Sequence, residues 1–186
     1  RRRAHTLSPA EEALLASAGD MASQPDNIYS MFGDADLTFP DAVDAEGEKH
    51  PLTHGTFVPL LYSQDRVLRK SAFDAFYGVM RQFRNTCAAI LNAQTKQLKF
   101  FADARKYPST LAAALDTTEV PTEVYMNLVD AVRRNLPKMH KYTRLRRKLL
   151  GVDELHFYDL YVPIVGDVDM HFTYEEACDL ILKALE

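Results

Sequence analysis

Residues 63–107 of this chain read SQDRVLRKSAFDAFYGVMRQFRNTCAAILNAQTKQLKFFADARKY. The stretch contains no proline and only one glycine, Gly78, so no residue in it forbids a long helix. Apolar or uncharged side chains recur every three or four positions, which is the spacing of one helix face. They are Leu68, Ala72, Phe76, Met80, Phe83, Cys87, Ile90, Gln94, Leu98 and Phe101. The pattern predicts a mainly α fold built from long amphipathic helices.

The predicted helix has a clear start but an unusual length. Ser63 is its expected N-cap, and Asp65 suits the positive end of the helix dipole. An unbroken helix over this stretch would extend about 65 Å, whereas a compact domain of 186 residues has a diameter of only about 40 Å. We therefore expect either a break near Gly78 or Asn92 or a helix that belongs to a larger protein body.

Capping signals predict further helices on both sides of this stretch. Ser8 and Glu11 form a capping box at the start of a helix over residues 8–18, and Thr173 and Glu176 form a second box at the start of the last helix. Shorter helices are predicted over residues 54–61 and from Ser109. Helical elements are thus expected along most of the chain.

The remaining elements follow from turn residues and prolines. A polar segment with a turn glycine between two apolar flanks predicts one small β-hairpin over residues 37–53. A long helix begins at Pro121, ends at Gly151 and is expected to kink at Pro137. Alternating aromatic and β-branched residues predict a strand or extended segment over residues 155–165.

Composition and charge exclude several classes of protein. The net charge is -4 and the pI is about 5.9, which gives the whole chain no attraction to nucleic acid or acidic lipid. No apolar run is long enough to span a membrane. The two cysteines lie far apart, which argues against a disulfide framework and favours the cytoplasm. The chain starts at Arg1 rather than at methionine, so we expect a piece of a longer protein.

The histidines are candidate metal ligands. His50 and His54 are four residues apart, which suits a zinc site on a helix, but Pro51 lies between them and the segment is predicted as a hairpin strand. Residues four apart in a strand are separated by about 13 Å, too far for one ion. The other candidates, His140, His156 and His171, are scattered without a cysteine or paired carboxylate at ligand spacing. The sequence therefore predicts structural or exposed roles for all five and no zinc bound by this chain.

The two cysteines are candidate nucleophiles. Cys87 falls in the apolar stripe of residues 63–107 and is predicted to lie in the core. Cys178 is surrounded by Glu175, Glu176 and Asp179, which disfavour a thiolate. The sequence also lacks a nucleophile elbow, a P-loop and a dinucleotide-binding glycine motif. No catalytic residue is predicted.

A dense basic run occupies the second long helix. Residues 131–152 contain no acidic side chain but eight cations: Arg133, Arg134, Lys138, Lys141, Arg144, Arg146, Arg147 and Lys148. Such a run binds phosphates or peptide carboxylates in some proteins. It is also typical of a solvated helix face whose cations suit the negative end of the helix dipole, and this interpretation is favoured.

Four segments together resemble the front portion of oligoendopeptidase F, a zinc metallopeptidase family related to thimet oligopeptidase. They are HTLSPAEEALLA (5–16), NIYSMFGDADLTFP (27–40), LTHGTF (52–57) and DELHFYDLYVP (153–163). The resemblance runs in one order over essentially the whole chain. Residues 1–75 resemble the N-terminal-domain module of that family, and residues 76–186 resemble the first helices of its catalytic region.

The resemblance implies a parent enzyme with a largely α-helical body and a deep channel that admits oligopeptides. In that family, zinc is held by the two histidines of a His-Glu-x-x-His helix and a downstream glutamate, with the glutamate of the motif as general base. None of the six histidines of this chain matches those positions. The resemblance therefore assigns no catalytic, metal or substrate-binding residue here, and the segment alone is expected to be inactive.

An alternative from a different functional class is a free-standing helical interaction module that holds a partner with the basic face of the second long helix. In either case, helices that pack on missing partners leave apolar patches exposed, so the isolated chain is expected to self-associate. Nucleic acid and membranes are not expected partners.

Overall fold

A computed structural model describes residues 2–166 and 171–185 of the chain. The described part is dominated by helices. In chain order the α-helices are α1 (Pro9–Ser17), α2 (Gly19–Ala22), α3 (Gln24–Ser30), α4 (His54–Leu61), α5 (Arg66–Gln82), α6 (Arg84–Ala104), α7 (Thr110–Asp116), α8 (Thr122–Leu149) and α9 (Tyr174–Leu185). The other elements are a 3-10 turn (Arg2–His5), a π-helical turn (Met31–Asp36), strands β1 (Ala42–Val43) and β2 (Lys49–His50), and a 3-10 turn (Phe157–Asp159). The predicted mainly α fold with one small hairpin is confirmed.

Both predicted capping boxes are present. The backbone N–H of Glu11 donates to Ser8 Oγ, and the carboxylate of Glu11 accepts from the backbone N–H of Ser8. At the start of α9, the same reciprocal pair joins Thr173 and Glu176 at 3.2 and 2.8 Å. Each box satisfies backbone N–H groups that have no partner within the helix.

The helix predicted over residues 63–107 starts later than expected. Asp65, not Ser63, is the N-cap of α5, because its carboxylate Oδ1 accepts from the backbone N–H of Val67 at 2.8 Å. Ser63 instead accepts from the backbone N–H of Asp65 at 3.1 Å and so positions the capping residue. The prediction of Ser63 as the cap was wrong by two residues.

The same stretch breaks into two helices, and it does so at Phe83. The predicted break sites, Gly78 and Asn92, both lie within continuous helix. Phe83 leaves the helical region, with φ -100° and ψ 14°, and its ring packs edge-on against Phe32 at 5.1 Å between ring centroids. Because Phe32 belongs to the π-helical turn about fifty residues earlier in the chain, local sequence could not place the break.

The hydrophobic core lies where the hairpin, α4 and α5 meet the Phe157–Asp159 turn. Its buried members are Ala42, Leu52, Phe57, Leu61, Leu68, Ala72, Phe76 and Tyr158. In the hairpin, Ala42 pairs with His50 and Val43 with Lys49. Gly47 closes the turn with φ +87°, a conformation that L-residues with a side chain rarely adopt. The core is therefore concentrated in residues 42–76, with Tyr158 joining it from the later turn.

The segment predicted as a strand, residues 155–165, is not extended. It forms the Phe157–Asp159 3-10 turn followed by bends, with Tyr158 and Val162 buried. The prediction was wrong because the carboxylate of Asp159 accepts from the backbone N–H of His156 at 3.0 Å and closes the turn. Aromatic alternation alone does not contain that information.

Helix α8 is the longest described helix. It runs through Pro137 and ends before Gly151, which has φ +64°, as the sequence predicted. The kink expected at Pro137 stays a prediction. Among the helices of residues 2–166 and 171–185, none is long and apolar enough to cross a membrane.

Candidate functional site

His50 and His54 lie in different elements and have different neighbours. His50 ends β2, and its Nε2 donates to Asp44 Oδ2 across the hairpin at 2.8 Å. His54 begins α4, where its ring packs edge-on against Phe39 and Phe76 at 5.2 Å between centroids in both cases. Within the described residues, no group of three or more histidine, cysteine, aspartate or glutamate side chains is placed to hold a metal ion.

The hairpin clasp formed by Asp44 and His50 predicts a pH dependence of stability. The hydrogen bond from His50 holds the pKa of Asp44 below its ordinary value, supported by bonds from the backbone N–H groups of Glu48 and Glu46. A lowered folded-state pKa stabilises the fold above the ordinary value of about 3.9, and this contribution is lost as the pH falls through the folded-state pKa. We expect Asp44→Asn to be less stable than the wild type at neutral pH and the difference to vanish on acidification. Urea unfolding at a series of pH values measures this, and a constant difference down to about pH 3 would contradict it.

The remaining candidate histidines are dispersed. His140 is exposed on α8, and His171 is exposed before α9. His156 stacks on Tyr158 with 5.0 Å between ring centroids, and its Nε2 lies 3.8 Å from a carboxylate oxygen of Glu154. The structure does not bring the candidate histidines together into one site.

Both cysteines are unpaired and half-buried. Cys87 does not lie in the core as predicted, because α6 packs against α3 at this point and leaves an open groove between them. Pro25, Tyr29, Cys87 and Ile90 are among the residues that line this groove. Cys178 lies on α9 between acidic neighbours. Among the contacts of the described residues, neither thiol is paired with a side chain that could act as its base.

A buried charge cluster is the most highly connected polar arrangement in the described residues. We define the Asp159 cluster as Asp159, Arg66, Arg69 and Arg146. Asp159 is fully buried, and its Oδ1 accepts from Arg69 Nη2 at 2.8 Å and from Arg66 Nε at 3.2 Å. Its Oδ2 accepts from Arg66 Nη2 at 3.1 Å. The cluster joins the start of α5 to the 3-10 turn more than ninety residues later.

Arg146 extends the cluster to the end of α8. Its Nε donates to the backbone carbonyl of Asp159 at 2.9 Å, and its Nη2 donates to the carbonyl of Val162. Only 5% of Arg146 is exposed, so this residue does not belong to the solvated basic face on which sequence reasoning placed it. Arg69 is similarly buried and also donates to the carbonyls of Ser63 and Gln64.

The electrostatics of the cluster favour an ionised carboxylate. Burial opposes ionisation of Asp159, but hydrogen bonds from Arg66 and Arg69 outweigh burial and hold its pKa below the ordinary value. The same contact raises the pKa of Arg66. Sequence reasoning missed this cluster, and the only local signal is the spacing of Arg66 and Arg69 on one helix face. The contacts of the cluster link α5, α8 and the 3-10 turn, which is a structural role.

The basic face of α8 is otherwise exposed, and so is the apolar stripe of the same helix. In the stripe, Val124, Leu128, Val132, Leu136, Met139 and Leu149 are between 41% and 62% exposed. Helix α8 contacts α7 and, through Arg146, the segment that follows it. A helix with this apolar pattern is typical of a buried position, so the stripe is a surface that the described residues of this chain leave uncovered.

Sequence comparisons identify relatives of this chain. The sequence model of peptidase family M3 matches residues 59–185, and the model described as oligopeptidase F matches residues 1–39. Oligopeptidase PepF of Bacillus subtilis is 45% identical over 183 residues, which are 98% of this chain and 27% of PepF. Group B oligopeptidase PepB of Streptococcus agalactiae is 40% identical over 173 residues, which are 93% of this chain and 29% of PepB. The chain thus spans less than a third of the length of these relatives.

A solved structure supports the same relationship. The crystal structure of oligoendopeptidase-F from Enterococcus faecium matches with a TM-score of 0.90 at 41% sequence identity. The match covers 99% of this chain and 34% of the Enterococcus chain. The resemblance to oligoendopeptidase F is confirmed by sequence and by fold. Because the family M3 model covers more than half of its residues, this chain belongs to peptidase family M3.

Proposed function

We propose that this chain is the scaffold and channel-wall segment of a zinc-dependent metalloendopeptidase that hydrolyses oligopeptides. The single observation that carries the proposal is the match of nearly the whole chain to about a quarter of an oligopeptidase. Peptidase family M3 is generally zinc-dependent. The described residues offer no ligand set for zinc, so the proposal gives zinc binding and the reaction itself to other parts of the parent protein.

The uncovered stripe of α8 is consistent with a scaffold role. Its side chains are apolar, regularly spaced and exposed, which suits packing against a further layer of helices. Helix α9 likewise exposes Leu180, Ile181 and Leu182. In the proposed parent, these surfaces would be covered by the rest of the helical body.

The proposal includes a division of the chain into residues 1–75 of an N-terminal-domain module and residues 76–186 of the catalytic region. The matched ranges 1–39 and 59–185 fall on either side of a short unmatched stretch. Position 75 lies inside α5, and the core contains residues from both sides of it. The two modules would therefore share one hydrophobic core. A cytoplasmic location, favoured by the two unpaired cysteines, also belongs to the proposal.

The direct test is peptide cleavage by the full-length parent protein and by the isolated chain. We expect the parent to cleave oligopeptides, to lose activity with a metal chelator and to regain it with zinc. We expect the isolated chain to show no cleavage under the same conditions, because its described residues offer no zinc-ligand set. Cleavage by the isolated chain that a chelator blocks would overturn the proposal.

Self-association of the isolated chain is a separate expectation. The exposed apolar side chains of α8 and α9 form surfaces of the kind that are buried in oligomers. Sedimentation velocity over a range of concentrations should show dimers or larger species. Substituting Leu128 and Val132 by lysine should shift the distribution towards monomer, while a wild-type chain that stays monomeric at high concentration would contradict the expectation.

A second candidate function, a helical interaction module, is favoured by one observation. Arg133, Arg134, Lys138 and Lys141 are exposed on α8, and within the described residues only Arg133 has a carboxylate nearby, Asp130 at 3.8 Å. The sequence of the parent protein separates the two candidates. A His-Glu-x-x-His motif in the parent supports the peptidase, and its absence supports the interaction module.

A further inference from the structure

A cleft of about 420 Å³ lies between the C-terminal half of α8 and the segment that follows this helix. Its lining combines two guanidinium groups, one imidazole and three large apolar side chains. They belong to Arg144, Arg147, His156, Leu155, Phe157 and Leu160. The cleft therefore offers positive charge beside an apolar wall.

The two arginines of the cleft form no ion pair in the part of the chain that the structure describes. Arg144 and Arg147 are three residues apart, so their side chains project from one face of α8. Both are exposed, and within residues 2–166 and 171–185 neither forms an ion pair with a carboxylate. The side chain of Glu154 lies 3.8 Å from Nε2 of His156, which lines the cleft, and is 80% exposed. Two guanidinium groups thus line the cleft without a carboxylate partner among the described residues.

The apolar wall of the cleft is held in place from behind. Phe157 and Leu160 are partly exposed towards the cleft, while Tyr158 and Asp159 between them are buried. Asp159 is fixed by the Asp159 cluster, and Arg146 ties the same turn to α8. The two sides of the cleft are therefore joined by hydrogen bonds, which limits the conformational entropy lost when a ligand binds.

We propose that this cleft binds a carboxylate attached to an apolar body, as at the C-terminal end of a peptide that finishes in an aliphatic residue. Guanidinium groups bind carboxylates through paired, charge-assisted hydrogen bonds. The side chains of Leu155, Phe157 and Leu160 would contact the apolar part of the ligand. The proposal concerns binding alone, so it stands or falls separately from peptide hydrolysis by the parent protein.

The test is a titration of the isotope-labelled chain with N-acetyl-leucine, followed by NMR at the arginine side-chain Nε–H signals. N-acetyl-leucinamide is the uncharged counterpart, with the same apolar side chain and no carboxylate. We expect saturable shifts for Arg144 and Arg147 with N-acetyl-leucine and none with the amide. Equal shifts with both compounds would overturn the proposal that the cleft recognises the carboxylate.

A pair of double variants separates the cleft from the general positive charge of α8. Arg144→Gln with Arg147→Gln removes both cleft arginines, and Arg133→Gln with Arg134→Gln removes two positive charges from the same helix outside the cleft. We expect binding to weaken roughly tenfold or more in the first variant and to stay within about twofold in the second. Equal weakening in both variants would overturn the proposal. An unchanged pattern of backbone amide signals confirms that each variant is folded.

Two further compounds define the chemistry of the ligand. Inorganic phosphate carries charge without an apolar body. If phosphate bound as tightly as N-acetyl-leucine, the proposed contribution of the apolar wall to binding would be overturned. Hexanoate carries the carboxylate on a chain without a peptide group. Tighter binding of N-acetyl-leucine than of hexanoate supports a peptide end as the ligand. Tighter binding of hexanoate would overturn the assignment to a peptide end and would indicate an aliphatic acid instead.

Discussion

Replacing Asp159 by asparagine is expected to lower the free energy of unfolding by about 3–5 kcal/mol, the usual cost of breaking a buried ion pair from one side. The substitution keeps the shape of the side chain but removes its negative charge. Arg69, whose side chain is 4% exposed, would then remain buried without an anionic partner. The amide group would also present N–H donors to guanidinium groups that are themselves donors. Urea unfolding followed by circular dichroism at neutral pH measures the change.

An exposed ion pair on α5, the helix that carries Arg66 and Arg69, provides the control. Asp74 accepts from Lys70 at 2.6 Å, but both side chains are more than half exposed. Asp74→Asn should cost only about 0.3–0.5 kcal/mol, because solvent screens such pairs. If Asp159→Asn were no more destabilising than Asp74→Asn, the cluster would not stabilise the fold.

The pH dependence of the same variant gives an independent check. Because the pKa of Asp159 is lowered in the folded state, its contribution is present above the ordinary carboxyl value of about 3.9 and is lost as the pH falls through the folded-state pKa. The stability difference between the wild type and Asp159→Asn should therefore narrow on acidification. Arg66→Gln should be milder than Asp159→Asn at neutral pH, since the side chain of Arg66 is 42% exposed.

The Asp159 cluster also marks the limit of what local sequence can predict. The capping boxes at Ser8 and Thr173 were predicted because all their partners lie within four residues. Asp159 and Arg66 are 93 residues apart, and no periodic pattern connects them. The turn at Phe157–Asp159 is closed by the bond between Asp159 and the backbone N–H of His156, and the contact with Arg66 then fixes the turn against α5. The alternation of residues 155–165, which was wrongly interpreted as a strand, reveals neither contact.

The apolar stripes were recognised correctly, and exposed apolar patches were expected, but the sequence did not show which of the stripes this chain buries. In α5 the stripe is buried, because Leu68, Ala72 and Phe76 pack against α4 and the hairpin. In α6 and α8 the same periodicity continues on exposed side chains such as Leu98 and Leu136. Periodicity shows that a face is suited to packing, whereas burial depends on which partners are present. For the candidate site, the sequence located the basic run but could not show that Arg146 is buried while Arg144 and Arg147 face a cleft.

Replacing Phe76 by alanine is expected to cost about 3–5 kcal/mol, as is typical when a large aromatic side chain is removed from a core. Its ring stacks on Phe39 at 4.6 Å and on Phe57 at 4.2 Å between centroids, and it contacts His54 edge-on. Offset and edge-on ring pairs stabilise by about 0.5–1.5 kcal/mol beyond the burial of their area. Phe76→Leu should therefore be milder than Phe76→Ala but still measurable. Urea unfolding again provides the measurement.

Phe100→Ala is the matched control, because Phe100 lies on α6 and is 55% exposed. Its removal should change the free energy of unfolding by no more than about 0.5 kcal/mol. The comparison also tests the proposed division of the chain, since Phe76 would open the second module while Phe39, His54 and Phe57 belong to the first. If the modules share one core, the wild type should unfold in a single transition, and Phe76→Ala should shift that transition as a whole. Two separate transitions, with only one shifted by the substitution, would show that residues 1–75 fold independently of the helices that follow.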